Sequence, residues 1–338
     1  MQNTQTSPST ATINPVADSR DNIIKKSTPK IVRSHEAIVF ETPGEKGSLF
    51  LGGEATGDRL ITGTIEATAN SGPLPHIHTH EDEIFIIQSG EFELFLNVEY
   101  ILANEGDVIF GARGEVHGFR GMPHSEPNIF TGIVAPAGFE HFFAGRAALM
   151  ASPDTTTEQL NAHAASFGID FFDSDVIIPL VESPKSRVVR AGTAPVLEAF
   201  GDRAEVLLAS AQTGGKYTLF SLQTPAQNGP PLHIHELEDE LFFIQEGTYE
   251  FVLETEAADG SSTMETVIAN SGDVVWAPRN WKHSFRNVGE STGHMYIAML
   301  PGNFDEFFAA NAKAFENGTA TPENLVAIGA EYGIRYII

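Results

Sequence analysis

Cysteine is absent from all 338 residues. That excludes disulfides, iron–sulfur clusters, thiolate zinc sites and cysteine nucleophiles together. It leaves His, Asp and Glu as the strong metal ligands the chain can offer. Positive charge is scarce: Lys plus Arg number 20 against 45 Asp plus Glu, a formal net charge of -25. Such a surface repels phosphate backbones and argues against a nucleic-acid partner. No apolar run reaches the roughly 20 residues of a membrane-spanning helix. Residues 1–30 are rich in Ser, Thr, Asn and Gln and lack an apolar signal-peptide core. The expectation is a flexible leader over residues 1–35 and a cytoplasmic protein with no membrane partner.

What is present is a sequence that repeats itself once. The segment "GPLPHIHTHEDEIFIIQSGEFELFL" from Gly72 returns from Gly229 as "GPPLHIHELEDELFFIQEGTYEFVL". "EGDVIFGARGEVHGFRG" from Glu105 returns as "SGDVVWAPRNWKHSFRN" from Ser271, after a polar insertion with an Asp-Gly turn signal. "PAGFEHFFAG" from Pro136 matches "PGNFDEFFAA" from Pro301. Collinear echoes of this kind mark a tandem duplication. The join falls near residues 173–190, dividing the chain into residues 36–180 and 181–338.

Each repeat reads as short strands rich in Ile, Val, Phe and Leu, punctuated by Gly and Pro, with hairpins turning at Gly90 and Gly247. A helix closes each repeat. Thr155 with Glu158 suggests a capping box for the first, ended by Gly168. Thr321 followed by Pro322 starts the second, ended by Gly333. The fold class is all-β: two tandem barrels or jelly rolls, each with a helical appendage.

In "HIHTHEDE", His76 and His78 are two apart, so a strand points both to one face. Glu83 follows after a short polar break, and His117 comes from a later strand. The second repeat offers His233, His235, Glu240 and His283 in the same pattern. Three imidazoles and a carboxylate suit a divalent first-row metal such as Fe, Mn, Co, Ni or Cu, one per barrel. His80 has no counterpart, since Leu237 stands there, and reads as rim. Phe85, Phe119, Phe242 and Phe285 flank the ligands and are candidates for an apolar slot.

These residues resemble the cupin superfamily, whose first motif carries HXH(X)4E(X)6G; "HIHTHEDEIFIIQSG" and "HIHELEDELFFIQEG" both match it. The second motif is met at Gly106, Gly114 and His117, with Ala112 for Pro and Gly121 for Asn. It is met again at Gly272, Pro278, His283 and Asn287, with Asn280 for Gly. The departures touch turn positions and spare every ligand. Length and repeat layout resemble the quercetin 2,3-dioxygenase (flavonol 2,4-dioxygenase) group of bicupins. That resemblance implies a metal-dependent dioxygenase acting on a small aromatic substrate with O2 and releasing carbon monoxide. It gives Glu83 and Glu240 a second role as acid/base residues. Two other readings stay open, an oxalate decarboxylase or oxidase and a non-catalytic storage protein. A homodimer also stays open.

Overall fold

The structure is a computed structural model that describes residues 25–96, 98–171, 184–257 and 259–337. Most of the expected leader (residues 1–24) and much of the expected join (residues 172–183) lie outside the described residues. Each repeat folds into two facing antiparallel sheets, one of seven strands and one of five. They form an open jelly-roll sandwich rather than a single closed barrel.

The strand Asp82–Ser89 shows how the sequence sets the layers. Glu83, Phe85 and Ile87 share one parity, and Phe85 and Ile87 join the core between the repeat's own sheets. Ile84 and Ile86 point the other way and pack with Leu241, Val274 and Trp276 of the second repeat. Both faces are buried, so the strand reads as an apolar run instead of an alternation. Asp239–Glu246 repeats this, with Glu240 sharing the inward parity of Phe242 and Ile244.

The two repeats are also laced together. Lys30–Val32, expected to be flexible, forms an edge strand on Val274–Ala277 of the second repeat. Arg187–Val189 pairs reciprocally with Val108–Gly111 of the first. Each exchanged strand is fixed by an arginine on the aspartate of a Gly-Asp turn, Arg33 with Asp273 at 3.0 Å and Arg190 with Asp107 at 2.6 Å. The last residues of the presumed leader are therefore ordered, because they complete the partner repeat's sheet edge.

The closing segment of each repeat holds two helices rather than one. The Phe-rich stretches themselves are helical, Glu140–Met150 and Phe304–Glu316. Thr157–Ser166 and Pro322–Glu331 follow. The cap of Thr157–Ser166 is Thr156 with Gln159, because Thr155 donates its hydroxyl back to Leu149 O. Thr321 caps the last helix through Asn324 N, with Pro322 in its first turn. After left-handed Gly168 and Gly333, short strands Ile169–Phe171 and Ile334–Tyr336 return to pair with the two His-X-His strands.

The motif departures are compensated locally. Asn280 takes the left-handed conformation (φ 68°) that Gly114 takes in the first repeat (φ 82°), which Asn tolerates better than most residues. Asn287 Nδ2 donates to Thr224 O; where the first repeat has Gly121, Asn128 Nδ2 donates instead to the equivalent Ala67 O.

Candidate metal centres

The structure brings His76, His78, Glu83 and His117 together, and separately His233, His235, Glu240 and His283. In each cluster one ligand atom per residue lies within 4.8 Å of the others, and all eight side chains are buried. The histidines belong to the five-stranded sheets, where His76 sits opposite His117 and His233 opposite His283. The glutamates come from the facing seven-stranded sheets, so each cluster bridges the two layers of its sandwich.

The imidazoles are oriented from behind. His76 Nδ1 donates to Leu74 O at 2.8 Å, and His117 Nδ1 to Glu115 O at 3.1 Å. A carbonyl can only accept, so the protons sit on Nδ1 and the Nε2 lone pairs face inward. There His76 Nε2 is 3.0 Å from His78 Nε2, and His117 Nε2 is 2.8 Å from Glu83 Oε2. Among the described residues, buried His117 Nε2 has no hydrogen-bond donor. Acceptors this close repel one another unless a cation lies among them, so the donor set fits a divalent metal. The second cluster repeats the arrangement, with His233 Nδ1 on Pro231 O at 2.8 Å and His283 Nδ1 on Trp281 O at 3.2 Å.

Burial alone would raise the Glu83 carboxyl, yet positive charge on the imidazoles around it, His78 foremost and then His117, holds it down at about 2, a role that a bound cation takes over once the Nε2 lone pairs face inward. Glu240 is likewise at about 2, raised by burial but lowered more by His235 and His283. Burial, reinforced by the neighbouring imidazoles, drives His76 and His233 well below the ordinary histidine range. Burial also opposes a charge on His78, but Glu83 and Glu81 outweigh it and raise its pKa. That position calls for positive charge, which a proton or a metal ion supplies; binding one releases the other.

Both repeats match the cupin domain family, over residues 63–133 and 221–299. By fold the chain is a bicupin. It is similar to a quercetin 2,3-dioxygenase of Bacillus subtilis (strain 168), at 24% identity over 86% of this chain and 88% of that one. A quercetin 2,3-dioxygenase of Aspergillus japonicus is 28% identical over 32% of this bicupin and 31% of its own length. Among solved structures it shares its fold with the oxalate decarboxylase of Lactobacillus farciminis, with TM-score 0.57 and 12% identity, covering 90% of this chain and 97% of that one. An oxalate decarboxylase structure reaches TM-score 0.58 at 13% identity, covering 96% and 92%.

In the second repeat of this bicupin an apolar cavity opens onto the cluster. It encloses about 680 Å³ of atom-free space, part of it open to solvent, and reaches His233, His235 and Glu240. Six phenylalanines line it: Phe200, Phe220, Phe285, Phe304, Phe307 and Phe308. Of the four singled out from sequence, Phe285 is a wall of this cavity, while Phe242 belongs to the core behind it. Phe85 and Phe119 pack in the core of the first repeat. His80 stands apart from the cluster, half-buried, with Nδ1 3.3 Å from Phe167 O.

Sequence reasoning missed Glu81 and Glu238. Each is buried and faces the outer nitrogen of a cluster histidine, Glu81 Oε2 3.4 Å from His78 Nδ1 and Glu238 Oε2 3.5 Å from His235 Nδ1. The signal was there, since "EDE" stands in both repeats. Glu238→Gln is expected to weaken metal binding at the second centre by about 10–100-fold, with the first unchanged. Competitive chelator titration measures this; equal affinity at both centres would refute the role.

Proposed function

We propose that this bicupin is a metal-dependent dioxygenase that cleaves a flavonol or related aromatic with O2, and that the second repeat holds the reacting centre. The observation that carries this reading is the phenylalanine-walled cavity ending at His233, His235 and Glu240. A flat aromatic is desolvated by such walls, and aromatic pairing adds to the burial. The name of the Bacillus subtilis relative, which spans most of this chain, supports the same class of substrate. Oxalate decarboxylases share the fold, but a small dianion calls for cationic partners, and none of the residues lining this cavity is Lys or Arg.

His233, His235, His283 and Glu240 would hold the metal, with His76, His78, His117 and Glu83 holding a second. A divalent cation acidifies a hydroxyl bound to it and gives O2 and an electron-rich substrate a common meeting point. The chain's own residues do the rest. Pro231 O and Trp281 O fix the tautomers of His233 and His283, keeping their Nε2 lone pairs inward. Glu240 is ionised at neutral pH and would accept the proton from the substrate hydroxyl once a bound cation had brought that hydroxyl's acidity toward that of the carboxyl. Phe304, whose ring centroid lies 5.3 Å from that of His235, walls the centre from water. In the net reaction one flavonol and one O2 give one ester-linked cleavage product and one carbon monoxide, so all atoms are accounted for.

The test is a metal-loaded preparation given quercetin under air. The expected result is loss of the flavonol absorbance with one O2 consumed and one carbon monoxide released per molecule. Absence of turnover with Fe, Mn, Co, Ni and Cu in turn would overturn the reading.

A further inference from the structure

The cavity of the second repeat has few groups that can hydrogen-bond to a ligand. Of its lining residues, five carry polar side chains: His233, His235, Glu240, Asp202 and Tyr336. The first three belong to the metal cluster. Asp202 lies toward the opposite end of the sheet and accepts from Asn228. That leaves Tyr336 as the side chain beside the cluster that can donate without giving up a ligand role.

Tyr336 ends the closing strand Ile334–Tyr336 and sits directly opposite His233 in the antiparallel ladder. Residues opposite each other in such a pair share a face. Ile334 and Tyr336 therefore point inward with His235 and His233, while Arg335 points out to Glu236. The ring centroids of Tyr336 and His233 are 6.2 Å apart. Gly329 of the last helix backs the ring, and an added Cβ there would lie 3.0 Å from its Cε2. Among the described residues the Tyr336 hydroxyl has no hydrogen-bond partner, and burial raises its pKa. In the first repeat Phe171 takes the same place opposite His76, with centroids 5.7 Å apart. The ring is common to both repeats, but the hydroxyl is confined to the one with the cavity.

Phe171 shows that packing at this position does not need a phenol, so an unpartnered hydroxyl here suits a ligand. We propose that Tyr336 is a positioning residue: its hydroxyl donates a hydrogen bond to the carbonyl oxygen next to the substrate hydroxyl that meets the metal. This rests on the flavonol reading above and deepens it, because a flavonol carries such a carbonyl on the adjacent carbon. A group bordering a metal ligand meets the reacting ring of the substrate rather than its distal ring. A phenol is protonated at neutral pH, so Tyr336 is the donor. When Glu240 takes the substrate proton, negative charge spreads onto that carbonyl, and a donor placed there favours the ionised form. Tyr336 thereby selects aromatics with a carbonyl beside the reacting hydroxyl over simple phenols.

The test uses 3-hydroxyflavone, which has that carbonyl and that hydroxyl and no other hydroxyl. Its binding to the metal-loaded full chain is followed by absorbance without O2, across a range of pH, in wild type, Tyr336→Phe and Phe171→Tyr. Tyr336→Phe, which copies the side chain of the first repeat, is expected to bind it about 5–100-fold more weakly. The pH at which the bound flavonol ionises should rise by about one unit in that variant, which a packing defect would not cause. Metal content and chelator affinity at both centres should match wild type, and Phe171→Tyr should leave binding unchanged. Equal affinity in wild type and Tyr336→Phe, a loss of affinity with unchanged ionisation, or one that tracks loss of metal overturns the hydrogen bond while the flavonol reading stands. Failure of wild type to bind 3-hydroxyflavone overturns both.

Discussion

Glu240→Gln is expected to lower flavonol turnover by about 10²–10⁴-fold, the usual worth of a positioned general base. Glu83→Gln should lower it by less than about tenfold. The two residues are matched in geometry: each sits with its histidines between two sheets, and each is held at about 2. What separates them is the phenylalanine-walled cavity that reaches Glu240. Glutamine keeps the size of the side chain and one oxygen toward the centre, but cannot accept a proton at neutral pH. Metal content measured on the same samples separates loss of the base from loss of the ion. If Glu83→Gln proved the damaging change, the reacting centre would be in the first repeat.

Asp82→Ala is expected to destabilise the protein by about 3–5 kcal/mol, the range for breaking a buried ion pair from one side. Asp82 lies beside the cluster residue Glu83 but faces the other repeat, with its side chain fully buried. Its carboxylate receives Arg113 Nη2 at 2.9 Å from its own repeat, and Lys216 Nζ and Tyr217 Oη at 3.0 Å from the second. Asp239 mirrors it, taking Arg279 at 2.7 Å and Arg59 of the first repeat at 2.8 Å. Truncation would strand cations at the interface and remove an acceptor from the Tyr217 hydroxyl. Burial pushes the Asp82 carboxyl up, but Arg113 and Lys216 outweigh it, so its folded pKa lies below the ordinary value. Its contribution is therefore present above about pH 4 and is lost as the pH falls through the lowered folded value. Chemical denaturation at pH 7 checks the magnitude, and a change below about 1 kcal/mol would contradict the assignment.

The duplication, the all-β class and the two sets of four ligand candidates were legible because each left a repeated pattern. Period two put His76 with His78, and the copy at His233 and His235 removed the ambiguity that one histidine pair carries. The strand exchange left no such trace. Lys30–Val32 and Arg187–Val189 are three residues long, too short for a period, and their partners lie more than 70 positions away. The Phe-rich helices Glu140–Met150 and Phe304–Glu316 were hidden because their phenylalanines share the composition of the strands. Glu81 and Glu238 stood in plain view, masked by the acidic run that contains them.

The central claim is that each repeat holds its own metal centre, independent of the other. The most direct measurement is metal content per chain, by elemental analysis of the purified protein and of His76→Ala and His233→Ala. Two equivalents are expected in the wild type, and one in each variant, with the remaining equivalent bound as tightly as before. A wild type that cannot be loaded beyond one equivalent, or a single variant that loses both, would contradict it.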